Sequence, residues 1–376
     1  MSRNQRHSRR RQRGVTLVEL LVATTVGLFL IGGVAAIVVQ TKKSYELQND
    51  FARIQENGRF GMELIVRDLR MAGYFGCMDD ATKVWNHVSD GSGDLFDTSV
   101  PVEGYEQGGT AWQPSGSTDI SGILNGTDGL TLRFLDPSTA IDVTTPYMPQ
   151  PSGNIKVETP GGDNGLRQGD IIAVTDCDST DVFQITGPSG DNPGTTGELV
   201  HNTGNATLPG NSDTLVPNCP GANAHCLSKV YEGEAQIMKL AAIRYFVGST
   251  PQGSTALFRQ AYTVDTSSGT PTAVGTSLEL VEGIENMQVQ FGVDNDGDQV
   301  PDFYRDAANV GADWPGVINV RVGLLAGSVN EYGTDDADTD DNTYDIDRDG
   351  VDDVVDPDDR RRRRVFTATV ALRNAL

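Results

Sequence analysis

Two short stretches of the chain concentrate carboxylates at a spacing suited to a hard cation. The stretch DNDGDQVPD places Asp294, Asp296, Asp298 and Asp302 at relative positions 1, 3, 5 and 9. The stretch DIDRDGVDD repeats this with Asp345, Asp347, Asp349 and Asp353, and carries Gly350 at the sixth position. Ca²⁺ takes about six to eight oxygen ligands, and closely spaced carboxylates on a sharply turning loop supply them. The first loop has Gln299 where the glycine is expected, and neither has Glu at the twelfth position, which in the second is Asp356. The competing reading is a solvated acidic turn, since 13 Asp stand between Asp335 and Asp359.

Other chemistry finds little support. No G-x-S-x-G, H-E-x-x-H, P-loop or G-x-G-x-x-G in a strand–helix setting occurs, and the four histidines (His7, His87, His201, His225) are scattered along the sequence. The reading is therefore of a protein that is not an enzyme. The net charge is −23, and without the first 14 residues it is −29, from 23 basic and 52 acidic residues. A body so acidic repels nucleic acid and attracts divalent cations. The basic run Arg360–Arg364 directly follows the acidic stretch and reads as a locally compensated strand entry rather than a nucleic-acid patch.

Four cysteines, Cys77, Cys177, Cys219 and Cys226, all follow the apolar N-terminal segment. If that part of the chain lies outside the cytoplasm, two disulfides are expected. Cys219 and Cys226 are close enough to close a small loop, which leaves Cys77 for Cys177. A zinc site is the rival, but there is no C-x2-C pair.

The N-terminus carries the most informative residue. Residues 1–14 hold six Arg and no acid, and the 25 residues Val15–Val39 then contain a single charge, Glu19. As a helix this run measures about 37 Å, enough to cross a hydrocarbon core of about 30 Å. The basic flank keeps the N-terminus cytoplasmic and sends the rest across the membrane. A secretory signal would be shorter and followed by small residues, whereas this segment runs on into QTKKSYELQ. A carboxylate inside such a span either snorkels to the interface or has a functional partner.

The elements behind these residues are legible in outline. Leu47, Phe51, Ile54, Gly58, Met62, Ile65 and Leu69 recur every three or four positions and extend the helix as an amphipathic one. Beyond Gly76 the composition turns to Gly, Ser, Asp, Asn, Thr and Pro with short apolar alternations, so strands are expected at GLTLRFLD, GDIIAVTDC, DVFQIT, AAIRYFVG, ALFRQAYTV, GVINVRVGLLAGS and RVFTATVALRN. In GLTLRFLD one face, Leu130, Leu132 and Phe134, is expected to be buried. Residues 278–294 are expected to begin as a turn or short helix and finish as a strand, and 86–128 and 186–225 to be loop-rich insertions. The fold class expected is α+β: a helix from about 15 to 72, its second half packed on an antiparallel sheet.

The string RQRGVTLVELLVA resembles the processing signal of type IV prepilins and pseudopilins, in which a basic leader ends in Gly and a Glu follows the cut by five residues. The resemblance implies cleavage after Gly14 by a prepilin peptidase, N-methylation of the new terminus Val15, and pairing of Glu19 with the Val15 amine of a neighbouring subunit. Val is less usual there than Phe or Met. NGRFGMELIVRDLRMAGYFGC, LVEGIENMQVQFGVD, VINVRVGLLAGS and RRRRVFTATVALRN resemble the PilW group of minor pilins and the related J-type minor pseudopilins of type II secretion. The resemblance implies residues 1–14 as a cleaved cytoplasmic leader, 15–39 as the transmembrane and assembly helix, 40–75 as its amphipathic continuation and 76–376 as an extracytoplasmic β-rich domain. It also implies a low-abundance subunit that helps initiate type IV pili at or near the tip. The implied partners are other minor pilins, the major pilin, the peptidase and the inner-membrane assembly platform, with a path from inner membrane to pilus. The greater length favours the pilus over secretion, and a membrane-tethered calcium-binding adhesin is a third reading.

Overall fold

The computed structural model describes residues 14–78, 81–89, 95–108, 111–113, 123–188, 190–203, 209–212, 216, 219, 225–265, 272–331, 343–354, 359 and 361–374. Leader residues 1–13, Asp356, Arg360 and parts of both insertions lie outside the described residues. The chain divides into two compact units, Met1–Ala52 and Arg53–Leu376.

Helix α1, Leu17–Leu69, begins in the first unit and ends in the second. In the first unit its apolar side chains are uncovered on every side: Leu17, Leu28, Phe29, Ile31 and Ile37 are all more than half exposed. A helix apolar all round is stable only where something other than water surrounds it. In the second unit the periodic stripe behaves as expected, with Ile54, Gly58, Met62, Ile65 and Leu69 buried. Of the stripe's two residues in the first unit, Leu47 is half-buried and Phe51 is exposed.

The body contains three sheets among the described residues. The strands are β1 Val84–Asn86, β2 Val102–Gly108, β3 Ala111–Gln113, β4 Asp128–Asp142, β5 Ile155–Lys156, β6 Ile171–Thr175, β7 Thr180–Gln184 and β8 Glu198–Leu199. They continue as β9 Gln236–Ser249, β10 Thr255–Asp265, β11 Thr272–Glu282, β12 Ile284–Val293, β13 Phe303–Asp306, β14 Val317–Glu331 and β15 Arg361–Ala371. Nine form one sheet, ordered β1-β7-β6-β9-β4-β2-β3, with β10 also pairing β9 and carrying β11. Four form a second, β13-β12-β14-β15, and β5 pairs with β8. All pairings are antiparallel except β1 with β7. Two further short helices are α2, Pro193–Thr196, and α3, Ala307–Val310.

The main core lies where the buried side of α1 meets β4, β9, β12, β14 and β15. Phe366 of β15 reaches the helix only because position 58 is glycine, since a Cβ there would run into the Phe366 ring. Asp68, nearly fully buried, accepts from the Tyr245 hydroxyl at 2.7 Å and from Arg259 Nε at 3.2 Å, and so ties the end of α1 to β9 and β10. A second core gathers Ile155, Leu166, Ile172, Phe183, Leu199 and Tyr231 around β6 and β7.

The structure differs from the sequence reading in three places. Strand β4 is buried on both faces: Leu130, Leu132 and Phe134 face the main core, while Leu135 joins a separate cluster with Ile171 and Met238. Arg133, on that second face, donates to Leu95 O at 2.7 Å, Val100 O at 2.7 Å and Glu103 Oε2 at 2.6 Å, which is what allows a guanidinium to be fully buried. Residues 278–282 are strand rather than turn or helix, because β11 runs to Glu282 and turns at Gly283 into β12. The insertions carry β2, β3, α2 and β8, pieces too short to show a period. Asp68→Ala should destabilise the body by about 2–4 kcal/mol, because it leaves the Tyr245 hydroxyl buried and unmatched. Denaturant unfolding compared with wild type measures this.

Candidate functional site

The start of α1 is closed by a reciprocal pair. Thr16, just ahead of the first helical residue, donates from its backbone N–H and its hydroxyl to Glu19 Oε2, each at 3.2 Å, and the Glu19 N–H donates to Thr16 Oγ1 at 3.2 Å. Two backbone donors that a helix start leaves open are thereby satisfied. A carboxylate also gains there from the positive end of the helix dipole. The sequence signal was T-x-x-E ahead of an apolar run, and it passes unnoticed if Glu19 is read only as a charge in lipid. Glu19 thus has a partner within its own chain and remains solvent-exposed.

The two acidic loops share one conformation. Asp294 Oδ2 accepts from Gln299 N at 2.8 Å, and Asp345 Oδ2 from Gly350 N at 3.1 Å. Asp302 Oδ2 accepts from Asn295 N at 2.8 Å, and Asp353 Oδ2 from Ile346 N at 2.7 Å. The fourth and sixth positions are left-handed in both: Gly297 (φ 79°) and Gln299 (φ 66°) in the first, Arg348 (φ 65°) and Gly350 (φ 93°) in the second. Each loop therefore has one glycine and one residue held in a conformation that costs about 1–2 kcal/mol. The missing glycine at position 299 does not change the loop, because Gln299 adopts the required backbone itself.

The loops gather carboxylates in a pattern the spacing did not fully give. Asp294, Asp296 and Asp302 bring ligand oxygens within 4.8 Å of one another, as do Asp345, Asp347 and Asp353. Asp298 joins no such group among the described residues, and Asp349 groups instead with Asp347 and with Asp306 at the end of β13. Asp306 escaped the sequence reading because it lies outside both nine-residue patterns and meets the second loop only through the fold. The second loop packs on β14, where Ile346 O sits against Gly323 so closely that any Cβ at 323 would collide with it. Burial, and then the charges of Asp353 and Asp349, push the Asp347 carboxyl up to about 7. Burial also raises Asp353. In the first loop desolvation pushes Asp294 up, but N–H donors from Gly297, Gln299 and Asp296 outweigh it and hold the carboxyl below its ordinary range.

The remaining sequence-marked residues fall as follows. Cys77 pairs with Cys177 and Cys219 with Cys226, with Cα–Cα distances of 4.8 and 5.6 Å. Arg363 forms a two-point contact with Asp359 and a bond to Glu285 at 2.5 Å, and Arg361 also reaches Glu285. The basic run is thus balanced by neighbouring acids, as its position implied. The histidines are not scattered in space: His87, His201 and His225 meet in one buried cluster. Distant segments brought them together, so no spacing announced it. Gly14 and Val15 lie immediately before the helix, at the edge of the described residues.

A helix uncovered and apolar through its first half, with a body rich in antiparallel sheets, fits an α+β fold of the type IV pilin class. Residues 9–35 match the family model described as the prokaryotic N-terminal methylation motif. Residues 244–374 match the model described as type IV pilus-assembly protein W. Together with the fold, these matches support a type IV minor pilin of the PilW group. The second match runs from the end of β9 through β15 and includes both acidic loops. No curated protein and no solved structure matches the chain.

A carboxyl whose native pKa lies above its unfolded value stabilises the fold only where it is protonated, and the benefit fades as pH rises toward the native value. For Asp347 that window runs from about 4 to about 7. In chelator, Asp347→Asn should therefore gain melting temperature relative to wild type as pH rises from about 5 to about 8. Scanning calorimetry on both proteins at each pH provides the comparison.

Proposed function

We propose that this minor pilin acts early in type IV pilus assembly, in a priming or tip complex with other minor pilins. Cleavage after Gly14 would free the Val15 amine, which is then methylated, and Glu19 would exchange its contact with Thr16 for the Val15 amine of a neighbouring subunit. The observation carrying this reading is the uncovered apolar surface of residues 15–39, interrupted by one carboxylate. Such a surface is stable in lipid before assembly and against other helices afterwards, and two opposite charges leaving water together cost less than either alone. In this reading the N-terminus is cytoplasmic, the body lies across the inner membrane, and the assembly platform extracts the subunit into the pilus. The role is structural and needs no catalytic residue.

The match to the pilus-assembly family favours the pilus over a type II secretion pseudopilin. A tethered adhesin that never enters a filament would keep residues 1–14, so the intact mass of the mature subunit separates the readings. A chain beginning at Val15 is expected, and one beginning at Met1 would overturn the assembly role. Glu19→Ala should lower incorporation into sheared pili by more than about tenfold while leaving cleavage intact.

We also propose that the acidic loops bind Ca²⁺. Two oxygens on opposite sides of one Ca²⁺ stand about 4.8 Å apart, so groups gathered within that distance match the size of its coordination sphere. Asp347 is only 4% exposed, and among the described residues no ion pair reaches its carboxylate, since Arg321 Nη1 donates to its backbone O instead; an ion would relieve this. Asp306 would let the same ion join β13 to the second loop. Added Ca²⁺ should raise the melting temperature of wild type and leave an Asp302→Ala, Asp347→Ala double variant unmoved. A wild-type curve indifferent to both Ca²⁺ and chelator would refute calcium binding without touching the assembly reading.

A further inference from the structure

The buried histidine cluster has no part in assembly through Glu19 or in the acidic loops. It joins four segments of the chain. His87 follows β1, Asp181 lies on β7, His201 follows β8, and His225 opens the segment that continues through Ser228 and Tyr231. The three rings and Asp181 are each no more than 2% exposed.

The hydrogen bonds fix where the protons sit. Asp181 accepts from His87 Nε2 at 2.5 Å, Ser228 N at 2.9 Å, Ser228 Oγ at 2.5 Å and Tyr231 OH at 2.5 Å. His201 Nε2 faces Gly153 O at 2.9 Å, and a carbonyl only accepts, so this nitrogen carries the hydrogen. Neutral His201 therefore accepts at Nδ1, and its partner 2.8 Å away, His225 Nδ1, must donate. That leaves a lone pair on His225 Nε2, which is buried and has no hydrogen-bond partner among the described residues, like His87 Nδ1.

An added proton has no good position in this arrangement. On His201 it would go to Nδ1 and set two N–H groups against each other across 2.8 Å. On His225 it would go to Nε2, buried without an acceptor. The surroundings offer little compensation. Phe183 lies against His201, with ring centroids 5.3 Å apart, and His87 lies edge-on to His225 at 4.6 Å. The carboxylate of Asp181 is engaged by His87, Ser228 and Tyr231 rather than by His201 or His225. Lys229, over the Tyr231 ring at 5.7 Å, is cationic and is held by Asp176 and Asp178, with Lys83 on the far side of Asp178.

We propose that His201 and His225, backed by His87 and Asp181, form an acid-sensitive latch that fastens residues 199–203 and 225–231 to β7 and opens as pH falls. Burial lowers His201, and burial together with the His87 and His201 rings pushes His225 down to about 2, in agreement with this geometry. The unfolded or opened segment takes up protons below the ordinary histidine value of about 6.5, while the closed one does not, so closure weakens as pH drops below that point. Above it both states are neutral and the latch is at full strength.

Hydrogen–deuterium exchange on the full-length protein in detergent, corrected for the intrinsic pH dependence of exchange, tests this. Between pH 6.5 and 5 the opening constant of peptides covering 199–203 and 225–231 should rise by roughly tenfold per pH unit for each histidine involved. Peptides from β12 and β14 should not follow. The His201→Gln, His225→Gln double variant should lose the dependence. Equal protection at both pH values in wild type, or an unchanged dependence in the variant, would overturn the proposal. If the variant does not fold, the pH profile of C2–H exchange of each histidine in wild type decides. Midpoints well below about 6 for His201 and His225 support the latch, and a midpoint at or above about 6.5 for either refutes it.

Discussion

A helix surface made of Leu, Val, Ile and Phe cannot be left in water, and that constraint governs both ends of α1. Residues 53–69 solve it within the chain: one side of the helix is covered by β4, β9, β12, β14 and β15, and the opposite side is charged. Residues 15–39 have no such cover and no polar side to turn outward. Their solution has to come from outside the chain. The proposed membrane residence and assembly would both be consequences of this one unsatisfied surface.

The fixed points of the body serve this arrangement. Gly58 lets Phe366 lie on the helix, and Asp68 anchors the helix end to two strands of the large sheet. The first acidic loop joins β12 to β13 and the second packs on β14, both within the segment matching the pilus-assembly family. Their repulsion is contained by backbone N–H groups rather than by basic side chains, which leaves the oxygens of Asp347 and Asp306 facing one another. Such an arrangement is costly in itself, and the proposed Ca²⁺ would offset that cost.

How much could be read in advance depended on whether the signal was local. The amphipathic stripe, the strands from GLTLRFLD to RVFTATVALRN and the basic leader were legible because periodicity and charge act over a few residues. Position 278–282 was misjudged because the Gly283 turn breaks the alternation and blurs a strand into its neighbour. Arg133, which lies between Leu132 and Phe134, carries no local mark of burial. It is buried because β2 and residues 95–100 close over that face, and no feature of GLTLRFLD itself encodes this.

The sequence by itself determined an apolar helix long enough to cross a membrane, one carboxylate near its start, a basic stretch ahead of it and two turns around clustered aspartates. Each of these follows from short-range chemistry: hydrophobic length, charge asymmetry, a T-x-x-E helix start and residue spacing within a loop. Only the tertiary structure decided that Asp306 joins Asp347 and Asp349, that Asp298 stays apart, and that His87 shares one buried network with His201 and His225, more than a hundred residues away. Those groupings depend on which strands pair and which loops pack beneath them. Long-range pairing is the collective outcome of burying the whole apolar surface at once, and no single stretch of sequence contains it.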